Sequence, residues 1–334
     1  MSPNRLVDIP LGASITVKLI NTVNFGPSHL HRFMAPSVPG LSTFERVPAF
    51  AFLLEHRSSR KLVFDLGIRK DYQNYTPKIA EYIPTTGYII EVERNVVDVL
   101  REHGVDLNDG ERFVWRHSLA LRPHRRPIDI PTQHRSDRWT GVQRHPAPWV
   151  SDEPGLANPR KRLYRPYSPR NPLRPISPQT LHIGRFKAYD YLGDGSFYFL
   201  DSPGHAIGHI CGLARTTVSP DGKSDTFILL GGDTAHYAGI FRPSVHLPIP
   251  SSVQDPLHVD GHGHNGDQCI AASLFDPTFG HDFPLAMETI GKLQEVDCDK
   301  NGFVIIAHDF AVRDGVEHFP AALNDWKEKG WGRR

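Results

Sequence analysis

Three side chains of the kinds that bind metal ions follow three apolar segments of the chain. His205 comes after a Pro-Gly turn, Asp233 comes after a Gly-Gly pair, and His308 comes directly after the third segment. Imidazole and carboxylate groups are the ligands that zinc and similar divalent ions prefer, and a carboxylate can bridge two ions. Singly, each has a simpler explanation, as a hydrogen-bonded surface histidine or a capping aspartate. Together they predict a metal site, because α/β folds place their sites at the C-terminal ends of strands.

Hydrophobicity patterns predict the elements that would position these groups. Residues 13–21 alternate as in a half-buried strand, and residues 49–54 and 61–64 predict a hairpin that ends at Asp65. Further strands are predicted over residues 183–191, 195–200, 209–214, 227–230 and 302–307, whereas residues 24–46 and most of 238–283 are predicted to be loop. Helices are predicted over residues 92–103, 285–296 and 321–329. This mixture indicates an α/β layered fold.

Composition limits the class of protein and the cellular compartment that we expect. The 334 residues can bury a sizeable core, and the net charge is +1. The three cysteines, Cys211, Cys269 and Cys298, share no metal-type spacing, which favours free thiols in a reducing compartment over a disulfide framework. The chain shows no secretion signal and no apolar run of about 18 residues. We therefore expect a soluble, cytoplasmic protein with no membrane partner.

The segment from residue 116 to residue 180 differs in composition from the rest of the chain. It contains twelve Arg and one Lys against four acids, a net charge of +9, so that the remainder carries −8. Twelve prolines interrupt it, and neither strand nor helix periodicity persists. Such a stretch buries too little apolar surface to offset its ordering entropy, so we expect loop or disorder.

Four motifs, in chain order, resemble those of the metallo-β-lactamase fold. They are Asp65-Leu66-Gly67, Ser202-Pro203-Gly204-His205-Ala206-Ile207-Gly208-His209, Gly231-Gly232-Asp233 and Ile306-Ala307-His308-Asp309. The chain is similar to the fungal hydrolases of this fold that resemble N-acyl homoserine lactonases. The similarity covers roughly residues 13–115 and 182–332. It implies a single αββα sandwich domain over residues 1–334, with a two-metal site along one edge of its sheets.

The resemblance also implies roles for individual residues. In the family, the histidine of the Pro-Gly-His turn binds the first metal, the aspartate after the Gly-Gly pair bridges both, and the late histidine binds the second. In this chain these positions are His205, Asp233 and His308. The implied chemistry is hydrolysis of a small-molecule lactone or ester by a metal-bound hydroxide, with two divalent ions, zinc being expected. Asp65 matches a supporting position.

Two further residues after Asp233 are candidates for contact with substrate. His236 or Tyr237 could approach a substrate oxygen, since both follow the bridging aspartate closely.

The remaining metal ligands of the family are missing from this chain. They come from a His-x-His-x-Asp-His motif directly after a strand like the one predicted over residues 113–115. Here the chain continues with His117 and His124, which are too far apart for that motif and have no acid between them. With one ligand for each metal plus a bridge, two ions would be held weakly. We therefore expect the enzyme to be impaired or inactive.

A shift of reading frame accounts for both the missing motif and the unusual composition. One permitted synonymous coding of residues 118–127, shifted by one nucleotide, encodes His-Trp-His-Cys-Asp-His-Thr-Gly-Asp. The same shift gives residues 159–180 an ordinary globular composition. We interpret residues 117–181 as an out-of-frame segment within the domain, produced by an indel, a mispredicted intron or a decayed gene.

Two alternatives from other functional classes stay open. One is a non-catalytic scaffold that keeps the fold. The other is binding of nucleic acid or an acidic partner through the basic residues 117–180, which we consider weaker because the frame shift explains the arginines without a function. His262 and His264 could replace the missing His-x-His, but the glycines around them favour a flexible loop.

Sequencing of the transcript across residues 117–181 tests the frame interpretation. We expect a one-nucleotide discrepancy or a misplaced splice junction near each end of the interval. An uninterrupted frame that encodes the printed residues would contradict it.

Overall fold

The structure is a computed structural model that describes residue 6 and residues 9–75, 77–105, 181–206, 208–248 and 273–333. The first seven strands in this part are β1 (Ile15–Gly26), β2 (Ser28–His29), β3 (Met34–Ala35), β4 (Thr43–Phe44), β5 (Val47–His56), β6 (Lys61–Phe64) and β7 (Ile89–Val92). The next seven are β8 (His182–Ile183), β9 (Phe186–Asp190), β10 (Phe197–Asp201), β11 (Ile210–Thr217), β12 (Thr226–Gly232), β13 (Asp276–Pro277) and β14 (Gly302–Ile306). The helices are α1 (Pro77–Thr85), α2 (Val96–Glu102), α3 (Phe283–Asp297) and α4 (Phe310–Gly315).

Several sequence predictions lie outside the described residues. They are the strand at 113–115, the basic segment 117–180, the histidine pair His262 and His264, and Cys269.

Two layers of strands form the centre of the described part of the molecule. The first sheet has the order β6-β5-β1-β7, and its pairs are antiparallel. The second sheet has the order β14-β12-β11-β10-β9-β8 and is antiparallel except where β12 runs parallel to β14. Two small two-stranded sheets, β2 with β4 and β3 with β13, lie in the segments between the larger elements.

Strand residues of both sheets alternate between an inner and an outer core. The inner faces of the two sheets share one buried cluster, to which the strands contribute Ile15, Val17, Leu19, Phe50, Phe52, Leu54, Phe197, Phe199, Ile228, Leu230, Phe303 and Ile305. Because successive strand side chains point to opposite faces, the residues between them face outward. Both faces are apolar, so each sheet requires a covering layer on its outer side.

Helices supply these outer layers. Ile79 and Ile83 of α1 pack on the outer side of the first sheet, and Val96 and Leu100 of α2 pack beside them. On the second sheet, α3 buries Ile290, Leu293 and Val296 against the outward residues of β10, β12 and β14. The layers therefore follow the order helix, sheet, sheet, helix, which is the αββα arrangement expected from the sequence.

The sequence located the long strands but not the short ones. The hairpin of β5 and β6 is confirmed, as are the strands before His205, Asp233 and His308. The predicted strand over 183–191 is divided into β8 and β9 by a turn at Gly184, which has φ +54°. Residues 24–46 were expected to be loop, yet they carry the short strands β2, β3 and β4. A two-residue strand has no periodicity from which it could be predicted.

The helix predicted over residues 321–329 was wrong, because that segment forms consecutive turns. Asn324 explains the difference: its Oδ1 accepts from the Val17 nitrogen at 2.9 Å, and its Nδ2 donates to the Ile15 and Thr216 carbonyls, each at 2.9 Å. The segment is thus bound to strand backbones of both sheets. Trp326 is buried in the inner core, and the Leu323 nitrogen donates to the Val17 carbonyl at 2.8 Å in place of a helical hydrogen bond.

Two observations bear on the expectations from composition. Cys211 is buried and Cys298 half-buried, and both are free thiols. Among the helices in the described part of the chain, none has the length and hydrophobicity needed to cross a bilayer.

Replacing Asn324 tests its role in holding the two sheets together. We expect Asn324→Ala to lower the free energy of unfolding by about 2–3 kcal/mol, since three hydrogen bonds are lost. Glu328→Ala, at an exposed position of the same segment, is the matched control and should change it by less than about 0.5 kcal/mol. Urea unfolding measures both, and equal stabilities of the two variants would contradict this role.

Candidate metal centre

Strand direction brings the three predicted ligands to one edge of the second sheet. β10 is antiparallel to β11, β11 is antiparallel to β12, and β12 is parallel to β14. β10, β12 and β14 therefore run in the same direction and end at the same edge. His205, Asp233 and His308 each follow one of these strands within four residues, so they converge as the sequence predicted.

Asp233 lies at the centre of this group. Its Oδ2 is 3.5 Å from Nε2 of His205, and its Oδ1 is 3.1 Å from Nε2 of His308. Its side chain is only 6% exposed. The two carboxylate oxygens thus face two different imidazoles, as a bridging carboxylate would.

The first sheet orients His308. The Nδ1 of His308 lies 2.7 Å from the carbonyl of Pro48 in β5, and a carbonyl can only accept. This contact places a proton on Nδ1 and turns Nε2 toward Asp233. Asp65, at the end of β6, is close enough to His308 to act on it electrostatically, and its Oδ1 accepts from the nitrogens of Leu66 and Gly67.

Packing against α3 holds the loop that carries His205. Gly204 has φ +126°, and a Cβ at this position would lie 2.3 Å from the backbone nitrogen of Ala286. Only glycine allows the loop to approach the helix so closely. The Thr289 hydroxyl donates to the Pro203 carbonyl at 2.6 Å. The loop is therefore fixed by α3 before any ion binds.

His209, a buried histidine, stabilises the other end of the same loop through hydrogen bonds. The Nδ1 of His209 lies 2.8 Å from the Ser202 hydroxyl and 2.9 Å from the Ser202 carbonyl. Its ring centroid is 5.7 Å from that of His205. His209 thus packs against the ring of His205 and holds together the two ends of the loop that carries His205.

His236 joins the group, which the sequence suggested only as a contact for substrate. One ligand atom from each of His205, Asp233 and His236 lies within 4.8 Å of the other two. A histidine three residues after a bridging aspartate was the available signal, but nothing in the spacing indicated that it would face the same point. Tyr237, the other residue suggested, packs its ring against those of Phe44 and Phe310, with centroids 4.9 and 6.1 Å away.

The donors fit a divalent ion. The Nε2 of His205 faces Oδ2 of Asp233 at 3.5 Å, and a donor atom of His236 lies within 4.8 Å of donor atoms of both residues. His308 turns a second imidazole nitrogen toward the carboxylate. Several electron-pair donors therefore converge on a small volume, and that arrangement is repulsive unless a cation or protons occupy it.

Burial and the charge of Asp233 determine the direction in which the pKa values of the cluster are shifted. Burial opposes its ionisation, but His308 and His205 hold the pKa of Asp233 well below its usual value. Burial lowers the pKa of His205, and lowers that of His236 further. Although burial works against it, the hydrogen bond to Asp233 raises the pKa of His308. Burial lowers the pKa of His209 to about 3, so that ring is neutral.

Comparisons with known proteins agree with this geometry. No family model matches the chain. A solved N-acyl homoserine lactone hydrolase, with the product N-hexanoyl-L-homoserine bound at its catalytic metal centre, aligns with a TM-score of 0.54 over 93% of this chain and 99% of that chain, at 16% identity. This likeness shows the fold. The Gamma-lactamase FDB1 of Fusarium pseudograminearum is 33% identical over 344 residues, covering 96% of this chain and 80% of that protein.

The chain belongs to the hydrolases of the metallo-β-lactamase fold. A further relative of this family, the Metallo-hydrolase mfmC of Annulohypoxylon moriforme, is 32% identical over 98% of this chain and 87% of its own length. Some relatives are longer: the chain spans 37% of a Penicillium brevicompactum protein named Cytochrome P450 monooxygenase mpaDE′, at 32% identity. Membership in a family of metallo-hydrolases implies a divalent metal ion.

Asp201, the last residue of β10, is a half-buried carboxylate outside the ligand group. Its Oδ1 has no hydrogen-bond partner among the described residues, and burial raises its pKa to about 7. The folded protein therefore holds this proton more tightly than the unfolded chain does. As pH rises from about 4 to about 7, the unfolded chain releases the proton first, so the contribution of Asp201 to stability falls.

Replacing this carboxylate tests the pH dependence. We expect the wild type to lose about 3 kcal/mol of stability between pH 4 and pH 7 because of the raised pKa of Asp201, and Asp201→Asn to abolish this loss. Urea unfolding at several pH values measures it. Asp276→Asn, at an exposed position of β13, should follow the wild type. A wild-type curve that runs parallel to that of Asp201→Asn would contradict the raised pKa.

Proposed function

We propose that this chain is a metal-dependent hydrolase that opens a small cyclic ester or cyclic amide. In this proposal His205, Asp233 and His308 are metal ligands, with Asp233 as the bridge and zinc as the ion. The alternative, a non-catalytic scaffold of the same fold, predicts no hydrolysis.

The placement of Asp233 carries the proposal. Its two oxygens face Nε2 of His205 and Nε2 of His308 at 3.5 and 3.1 Å. A carboxylate with an imidazole at each oxygen is the arrangement needed to bridge two ions about 3.5–4 Å apart. A capping aspartate would instead accept from backbone nitrogens, as Asp309 does from the nitrogen of Val312.

The residues around the proposed metal centre hold its ligands in position before substrate binds. The Pro48 carbonyl holds the proton of His308 on Nδ1, which leaves Nε2 facing the site. The loop closed by His209 and α3 holds His205 in place without an ion. A bound divalent ion would polarise a carbonyl group and lower the pKa of water, which is the chemistry that hydrolysis of an ester or amide requires.

Aromatic rings beside the centre suit an apolar substrate body. The rings of Phe33 and Phe279 lie 5.1 and 5.4 Å from that of His236, and the Phe279 ring lies 5.6 Å from that of His205. Such rings exclude water and contact apolar groups. The names of relatives, a gamma-lactamase and an N-acyl homoserine lactone hydrolase, support a small cyclic ester or amide as the bond that is broken.

We expect the activity to be low. The described residues offer only His308 and the bridging Asp233 to a second ion, and two ligands bind an ion weakly. Rapid turnover by protein that holds two zinc equivalents would contradict this expectation.

Metal removal and two substitutions test the proposed function. Zinc-loaded protein is assayed with an N-acyl homoserine lactone and with a γ-lactam. We expect slow hydrolysis that a chelator abolishes and added zinc restores. His205→Ala and Asp233→Asn should lower the rate at least about 100-fold, because each removes a metal ligand. His29→Ala, at an exposed position, is the control and should retain the rate. Metal-loaded protein without hydrolysis of either compound would favour the scaffold.

A further inference from the structure

His236 lies where a ligand of the first ion would lie, although the sequence suggested it only as a contact for substrate. Its donor atom lies within 4.8 Å of those of His205 and Asp233, and these two are already 3.5 Å apart. We propose that His236 is a metal ligand, and that His205, Asp233 and His236 together hold one divalent ion with a fourth position open. This inference rests on the metal-dependent function proposed above.

The separations suit a zinc ion. In a tetrahedral zinc site, ligand atoms are about 3.4 Å apart, because each lies about 2.0–2.2 Å from the ion. The 3.5 Å between His205 Nε2 and Asp233 Oδ2 meets this value without any movement. From a separation of up to 4.8 Å, the His236 donor needs to move inward by up to about 1.5 Å, which a rotation of its side chain provides.

The environment of His236 leaves its nitrogens available. Its ring stacks on that of His308 at 11° with centroids 5.8 Å apart, and it lies 5.0 Å from the ring of His205. Neither ring nitrogen donates to or accepts from any residue in the described part of the chain. A packed ring whose nitrogens make no hydrogen bond within the described residues and lie beside a carboxylate is suited to coordinate an ion.

Local backbone structure brings His236 back toward Asp233. β12 ends at Gly232, which has φ +54°, and the nitrogen of Thr234 donates to the carbonyl of Gly231 at 3.2 Å. This turn reverses the chain directly after the strand. Because of it, the residue three positions after Asp233 returns to the same edge of the sheet as Asp233 itself.

In this arrangement the two oxygens of Asp233 face different histidines. Three protein ligands and one open position are the pattern of catalytic zinc sites. His308 lies on the Oδ1 side of the carboxylate, whereas His205 lies on the Oδ2 side. The described residues thus complete a site for one ion and provide only Asp233 and His308 for another, so we expect one tightly bound ion per chain.

Titration of the full-length chain with Zn²⁺ and with Co²⁺ tests this proposal without an activity assay. His236→Phe is the informative variant, because it keeps an aromatic ring against Phe33 and Phe279 and removes both nitrogens. We expect it to weaken binding of the first ion by about 100-fold or more, since loss of a supporting partner already costs about 10–100-fold. The absorption band of four-coordinate Co²⁺ should change as well. His281→Phe, at an exposed position near the same loop, is the matched control.

The pattern across variants separates this proposal from the proposed function. If His205→Ala loses the first ion and His236→Phe keeps wild-type affinity, His236 is not a ligand, while the metal-dependent function stands. If neither variant affects metal binding, the proposed metal site itself fails. Loss in both, with the control unchanged, supports both proposals. Circular dichroism verifies folding, and His236→Gln replaces the phenylalanine variant under the same criteria if that variant is unfolded.

Discussion

The burial of the Asp233 carboxylate is the constraint on which the site depends. An ionised carboxylate out of water costs several kcal/mol unless cationic or hydrogen-bonding groups surround it. Here the groups that surround it are imidazoles, His308 on one oxygen and His205 on the other. Their nitrogens can satisfy the carboxylate as protonated rings or can share a metal ion with it. The same arrangement therefore stabilises the fold and provides donor atoms that could hold a cation.

The framework keeps these groups in register through backbone contacts. Parallel direction of β10, β12 and β14 brings their ends together, and the Ala307 nitrogen donates to the Gly232 carbonyl at 2.9 Å between two of those ends. The first sheet contributes through the Pro48 carbonyl, which orients His308. Since both sheets and α3 contact the ligand loops, the site depends on the packing of the whole sandwich and not on any single element.

Much of this architecture could be predicted from sequence. Apolar segments of four to eight residues identified the long strands, and the residues after them identified His205, Asp233 and His308 as candidate ligands. The strand predictions succeed because strand burial and turn chemistry are local properties. The basic segment 117–180 was also recognisable from composition alone, since its prolines and arginines differ from the rest of the chain.

Contacts between distant residues account for what sequence did not predict. Residues 321–329 have helical periodicity, but the bonds of Asn324 to Ile15, Val17 and Thr216 hold them in turns. His236 was recognisable as a histidine near the site, yet only the turn after β12 and the rings around it place its nitrogens beside Asp233. The sequence by itself therefore determined which side chains end the strands. The tertiary structure decided which of them meet, because that depends on side-chain directions and long-range packing that no local pattern contains.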